Sequence, residues 1–196
     1  MRILVACEES QRVCTAFRNK GHEAYSCDIM DCSGDHPEWH IKDDVMNHIN
    51  EDWDMIIAFP PCTHLCNAGQ RWFAEGKKDR KLQEDAIKFF MAFTDINCPK
   101  ISIENPVGIM STKYRKPDQI IHPWMFGDTD YKMTCLWLKG LPKLKPTNIV
   151  QKEERTQNNW KAVFNGKQYS WNDPATSILR SKTYKGIAEA MAEQWG

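Results

Sequence analysis

Two short stretches hold residue types capable of covalent chemistry, and both sit at the same kind of place. Asp54-Met55-Ile56-Ile57-Ala58-Phe59-Pro60-Pro61-Cys62 is a short apolar run that ends on two prolines and a cysteine. A run this short, stopped by proline, predicts a buried parallel strand rather than a helix. Proline ends the ladder and fixes the backbone just beyond it, so Cys62 is expected on a rigid elbow. In open α/β sheets that edge is where ligands bind. A cysteine that only fills a core needs no double-proline elbow, so Cys62 reads as a reactive thiol. Ile101-Ser102-Ile103-Glu104-Asn105-Pro106 repeats the device: a strand, a polar tip and a proline stop, with Glu104 placed 42 residues after Cys62.

These tips need a sheet to carry them. Arg2-Ile3-Leu4-Val5-Ala6-Cys7 reads as the first strand, and Glu8-Glu9-Ser10 as the turn that caps a helix over about 11–20, closed by Gly21. Glu23-Ala24-Tyr25-Ser26-Cys27 reads as the second strand, ending at Asp28. An acid at that tip is the arrangement of a nucleoside-binding half-fold, where it grips ribose hydroxyls. The glycine-rich turn of such folds is replaced here by Cys7-Glu8-Glu9-Ser10-Gln11. Residues 32–40 read as loop, and 42–45 lead into a short helical stretch. Residues 63–81, rich in Gly, Asn and charge, read as a long binding loop or lid. A helix is expected over 82–93, irregular chain over 107–130, a strand over 133–138 with Thr134, Leu136 and Leu138 on one face, and a closing helix over 187–195.

At 196 residues the chain is one domain, large enough to bury about 70% of its unfolded surface. No apolar run approaches the ~20 residues of a membrane span, and no signal peptide is recognisable. Eight cysteines without framework spacing then imply reduced thiols and a cytoplasmic protein. The net charge of zero hides an asymmetry. Residues 22–59 hold ten acids and one base, whereas 131–185 hold eleven Lys or Arg and three acids, a net of +8. A basic stretch of that kind suits a polyanion.

With Pro61-Cys62 at one strand tip and Glu104-Asn105-Pro106 at a later one, the chain resembles the DNA cytosine-5 methyltransferases, in particular their short, phage-type members. The likeness covers residues 1 to about 110 and, more loosely, 132–138 and the final helix. It implies an α/β, Rossmann-like S-adenosylmethionine-dependent fold, with 1–139 and 175–196 as catalytic domain and 140–174 as a reduced, basic target-recognition segment. It implies that Cys62 attacks cytosine and that Glu104 holds the base, helped by Lys132 and Thr134 where the family carries a Gln-x-Arg-x-Arg strand. For S-adenosylmethionine it implies a site of Cys7, Glu8, Asp28 (ribose), Asp44 (adenine amine), Phe59 and Pro61. DNA is the implied partner, held by Arg71, Lys77 and Lys78 in the lid and by Lys143 and Lys145 in the basic segment, with Lys139, Lys152, Arg155, Lys161 and Lys167 also suited to phosphate. Gln157, Asn158, Asn159, Asn165 and Gln168 are left to read bases. A monomer in the cytoplasm, that of a host cell if the protein is phage-encoded, is expected, and no metal.

Other classes remain open. His36-Pro37-Glu38 with Pro61-Cys62-x-x-x-Cys66 approaches the zinc nucleobase-deaminase signature, but the second cysteine is one residue late. Such a shift turns a ligand about 100° around a helix. Cys32, His36 and His40 have the spacing of a structural zinc site. A non-catalytic DNA-binding relative would not need Cys62. An amino-methyltransferase needs an acid or amide where Phe59 stands and an aromatic where Cys62 stands.

Overall fold

The computed structural model describes residues 1–130, 132–151, 162–164, 167–169 and 181–196. Seven strands form one mixed sheet: β1 (Arg2–Ala6), β2 (Glu23–Asp28), β3 (His40–Lys42), β4 (Met55–Ala58), β5 (Lys100–Pro106), β6 (Gln119–Ile121) and β7 (Thr134–Lys139). Their spatial order is β3-β2-β1-β4-β5-β7-β6. The first five are parallel, and β7 runs antiparallel to both β5 and β6. This is an α/β architecture compatible with a Rossmann-like fold.

Parallel strands covered on both faces must be apolar on both, which is why β1 and β4 read as unbroken hydrophobic runs. On one face Ile3, Val5, Met55 and Ile57 pack with Phe17 of α1 (Arg12–Arg18) and with Ile187, Met191 and Trp195 of the C-terminal helix, α5 (Lys185–Trp195). On the other, Leu4, Ile56, Ile101, Ile103 and Trp137 pack with Phe90 and Phe93 at the end of α3 (Arg80–Ala92). Phe90 meets Trp137 edge-on, with ring centres 5.1 Å apart.

The chain moves from β1 outward to β2 and β3, then crosses back to place β4 on the other side of β1. That reversal opens a crevice above the carboxyl ends of β1 and β4, the place where open α/β sheets bind ligands. The turn after β1 and the Cys62 elbow after β4 both face it.

Several expectations are revised. The stretches read as loop (32–40) and as irregular (107–130) lead into or contain the short edge strands β3 and β6, and 107–130 also holds the one-turn helix α4 (Met110–Lys113). The lid over 63–81 is not loop throughout: it holds a 3-10 turn (Asn67–Gly69) and α2 (Gln70–Ala74). α1 is shorter than expected, and within the Glu8-Glu9-Ser10 turn it is the Glu8 carboxylate that takes its N-terminal amides. Within 140–174, residues 152–161, 165–166 and 170–174 lie outside the described residues; β8 (Ala162–Phe164) and β9 (Lys167–Tyr169) pair antiparallel. Lys152, Arg155, Lys161, Gln157, Asn158, Asn159 and Asn165 therefore fall outside the described residues. No helix among those described is long and apolar enough to cross a membrane.

Candidate active site

The Cys62 elbow is built by β4 and held by β5. Phe59 N donates to Ala6 O at 2.9 Å, which continues the parallel ladder for one residue before Pro60 and Pro61 stop it. The Cys62 carbonyl then accepts from Leu65 N and Cys66 N, both at 3.0 Å, so the thiol stands at the start of a tight turn. Asn105, 1% exposed, donates from Nδ2 to Pro60 O at 2.7 Å. Proline cannot extend a ladder, and Asn105 supplies the cross-tie instead. Further along, Asn67 N donates to Val107 O and Ile109 N to Leu65 O, at 3.2 and 2.9 Å. Gly108 bridges Cys66 so closely that a Cβ there would lie 2.1 Å from Leu65 O. The two proline-stopped tips are thus laced together. Asn105→Ala should cost about 1–3 kcal/mol, because Pro60 O would be left buried without a donor. Denaturant melts measure it; a change below about 0.5 kcal/mol would mean that the elbow is rigid without the tie.

Alternation along β5 turns Glu104 to the opposite face from Asn105. Leu136 pairs with Glu104 and Thr134 with Pro106, so Thr134 is the diagonal neighbour of Glu104, and its hydroxyl hydrogen-bonds the carboxylate. Burial pushes the Glu104 carboxyl up, opposed by the Lys132 ammonium and the Thr134 hydroxyl. The Cys62 thiol is also pushed up, first by burial, then by Cys66 and Glu104, with Lys132 pulling it down. Cys62 is nevertheless exposed and Glu104 half-buried. A group hemmed in by protein yet reachable from solvent lies in a concave mouth. The structure therefore brings Cys62, Glu104, Lys132 and Thr134 into one site, and adds Cys66, for which the Cys-x-x-x-Cys spacing was the signal.

The other wall of the crevice is the turn after β1. Cys7 and Gln11 adopt left-handed φ angles of 59° and 56°, a conformation that costs non-glycine residues energy and clusters at functional sites. Cys7 N and Glu8 N both donate to Cys27 O, at 2.8 and 3.3 Å. Glu8 is buried, and its carboxylate accepts from Val13 N and Cys14 N at 2.7 and 3.1 Å. Burial pushes it up to about 7 despite those two bonds. Its side chain is committed to the N-terminus of α1, so of Glu8 only the backbone can meet a ligand. Asp28 and Asp44 stand differently. Each accepts one short-range backbone bond at 2.9 Å, from Met30 N and Met46 N. Both lie close enough to Cys7 and Cys27 to help push those thiols up, after burial. Ile29 and Met30, 73% and 53% exposed, stand next to Asp28 as an apolar shelf that sequence reading passed over.

The expected DNA-binding cations divide into two groups. Arg71, Lys77 and Lys78 lie on or just after α2, which Gln70 ties to Leu65 O and Cys66 O at 3.4 and 3.2 Å. Lys143 and Lys145 are exposed but lie at the other edge of the sheet. β7 is antiparallel and ends with Lys139 opposite Ile101, the start of β5, while Lys145 is tied by its backbone to Gln194 at the end of α5. The five steps of β5 from Ile101 to Pro106 put roughly 17 Å between the edges at ~3.3 Å each.

Of the residues weighed for zinc, His36 stacks on Trp39 at 3.7 Å, and His40 hydrogen-bonds Ser26 Oγ and Met30 O. Among the described residues no three His, Cys, Asp or Glu side chains gather closely enough to hold a metal ion. What the fold and site define is an α/β protein with an exposed cysteine beside a half-buried carboxylate at its strand-order reversal. No protein-family model matches the chain, and no curated protein matches it either.

Proposed function

We propose that the protein is a DNA cytosine-5 methyltransferase that works through a covalent Cys62 adduct. The observation that carries this reading is the meeting of Cys62, Glu104, Lys132 and Thr134 at one strand edge, beside a crevice walled by Asp28 and Asp44. Two carboxylates, an apolar shelf and a left-handed turn fit the ribose, adenine and chain of S-adenosylmethionine, which supplies the methyl group when bound. Asp28 would take the ribose hydroxyls and Asp44 the adenine amine, with Phe59, Pro61 and the Cys7-Glu8 backbone lining the floor.

Cytosine C5 is a poor nucleophile until something adds at C6. The Cys62 thiolate would form a bond to C6 and push an electron pair to C5, which would take the methyl group as the sulfonium S–CH3 bond breaks and S-adenosylhomocysteine is left. Loss of the C5 proton to a base expels Cys62 and restores the ring. Glu104, whose carboxyl burial pushes up, would in its protonated form donate to N3 and accept from the exocyclic amine. The same proton on Glu104 would remove one of the negative charges that, after burial and Cys66, push the Cys62 thiol up. Lys132 stabilises whichever of them is charged. The target base must leave the duplex first, at a cost of a few kcal/mol.

Mass spectrometry of nucleosides from DNA incubated with protein and S-adenosylmethionine tests this: 5-methylcytosine should accumulate, and its absence would overturn the proposal. Asp28→Ala should weaken S-adenosylhomocysteine binding at least about tenfold in calorimetry, since it loses hydrogen bonds to a charged acceptor. DNA affinity should hardly move. An unchanged dissociation constant would mean that the cofactor lies elsewhere.

A further inference from the structure

Helix α2 carries a cluster that the transfer chemistry above does not use. Trp72 is half-buried, and the Arg71 guanidinium carbon lies 4.3 Å from the centre of its ring. Lys77 Nζ lies 4.8 Å from the same ring, and Lys78 Nζ 5.6 Å from that of Phe73. The amides of Lys77 and Lys78 both donate to Trp72 O, at 2.8 and 3.1 Å, which folds the chain back and brings Lys77 over the indole and Lys78 over the Phe73 ring. Residues 71–78 hold three cations against one acid, Glu75, which pairs with Lys77 at 2.8 Å.

This step is fixed to the nucleophile's own turn. Phe73, 4% exposed, meets His64 edge-on with ring centres 5.9 Å apart. Gln83 Nε2 donates to His64 O and to Gln70 Oε1, at 3.2 and 2.9 Å, while Gln70 holds Leu65 O and Cys66 O. An indole and a guanidinium stacked at the surface match the flat face of a nucleobase, and the lysines beside them match its phosphates. An intact duplex offers phosphates but hides its base faces, so it makes poor use of such a step.

We infer that Trp72 and Arg71 form a stacking step for an unpaired base flanking the target, so that the chain grips single-stranded or locally opened DNA in preference to intact duplex. The inference rests on DNA being the substrate of the Cys62 site. Three labelled 12-nucleotide probes test it by fluorescence anisotropy at one fixed salt concentration: a single strand, the same strand with abasic residues throughout, and its duplex. The full-length protein should bind the single strand most tightly. Trp72→Leu, which keeps apolar bulk but has no ring, should lose roughly tenfold for the single strand, and less than twofold for the abasic strand and the duplex. Trp72→Phe should restore most of the loss. Arg71→Ala, at an exposed position, should lose about threefold for the single strand by the same route. Equal losses on all three probes, no loss on any, or wild-type preference for the duplex would each overturn the inference. Trp72-dependent strand binding without any 5-methylcytosine would overturn the transfer chemistry alone, and methylation with binding indifferent to Trp72 would overturn the stacking step alone.

Discussion

Cys62→Ser should reduce methyl transfer at least about a thousandfold while leaving the fold intact. Serine keeps the size of the side chain but its hydroxyl is a far weaker nucleophile than a thiolate, so only the bond to C6 is lost. Cys62 is exposed, and the elbow is held by backbone bonds and by Asn105 rather than by the sulfur. Stability should therefore stay within about 0.5 kcal/mol of wild type, as for an ordinary surface change. Rates from single-turnover transfer and melts on the same preparation check both halves. A serine variant retaining more than a thousandth of the wild-type rate would rule out covalent catalysis by this residue.

Glu104→Gln should lower the rate by at least about a hundredfold, because an amide cannot pass a proton to N3. Its effect on stability should run the other way. Burial raises the Glu104 carboxyl above the ordinary carboxylate range. A group raised in the folded state contributes stability that is complete below its unfolded value and is lost as pH rises through its folded value. Glutamine carries no charge, so the variant should gain stability relative to wild type as pH rises from about 4.5 through that value. The rate profile has a matching signature. Cys62 and Glu104 are both raised, and the proposed reactive form has a thiolate on the first and a proton on the second. Wild-type activity should be greatest between the two values and fall on either side. In Glu104→Gln the acid limb tied to Glu104 should vanish, leaving a residual rate that climbs with the Cys62 titration. A variant that is inactive but no more stable at any pH would mean that Glu104 is paired more strongly than its position indicates.

The parts of this site that were legible in the sequence are those marked by proline. Pro60-Pro61 and Pro106 mark where β4 and β5 stop, so the sequence puts Cys62 and the Glu104-Asn105 pair at that end of the sheet, although Glu104 and Asn105 lie within β5 rather than beyond its tip. Three-residue edge strands such as β3 and β6 carry too few side chains to show a period, and they were missed. Side-chain direction was not legible either. Glu8 sits in the turn where a ligand group was expected, but left-handed backbone at Cys7 and Gln11 aims α1 so that its N-terminus takes the Glu8 carboxylate. Lys143 and Lys145 were read as phosphate-binding cations; both are exposed, yet charge alone could not reveal that β7 runs antiparallel and carries them to the far edge. Asn105 looked like a companion of Glu104; only its bond to Pro60 O reveals that it braces the nucleophile instead.

The most direct measurement is covalent capture. DNA carrying 5-fluorocytosine at the target, incubated with the protein and S-adenosylmethionine, should give a complex that survives denaturing electrophoresis, because fluorine cannot leave C5 as a proton does. Peptide mapping should locate the attachment at Cys62 and at no other cysteine, and Cys62→Ser should give no adduct. A protein that methylates ordinary DNA but leaves no adduct on the fluorinated strand, or one attached through Cys66 instead, would contradict the assignment of Cys62 as the nucleophile.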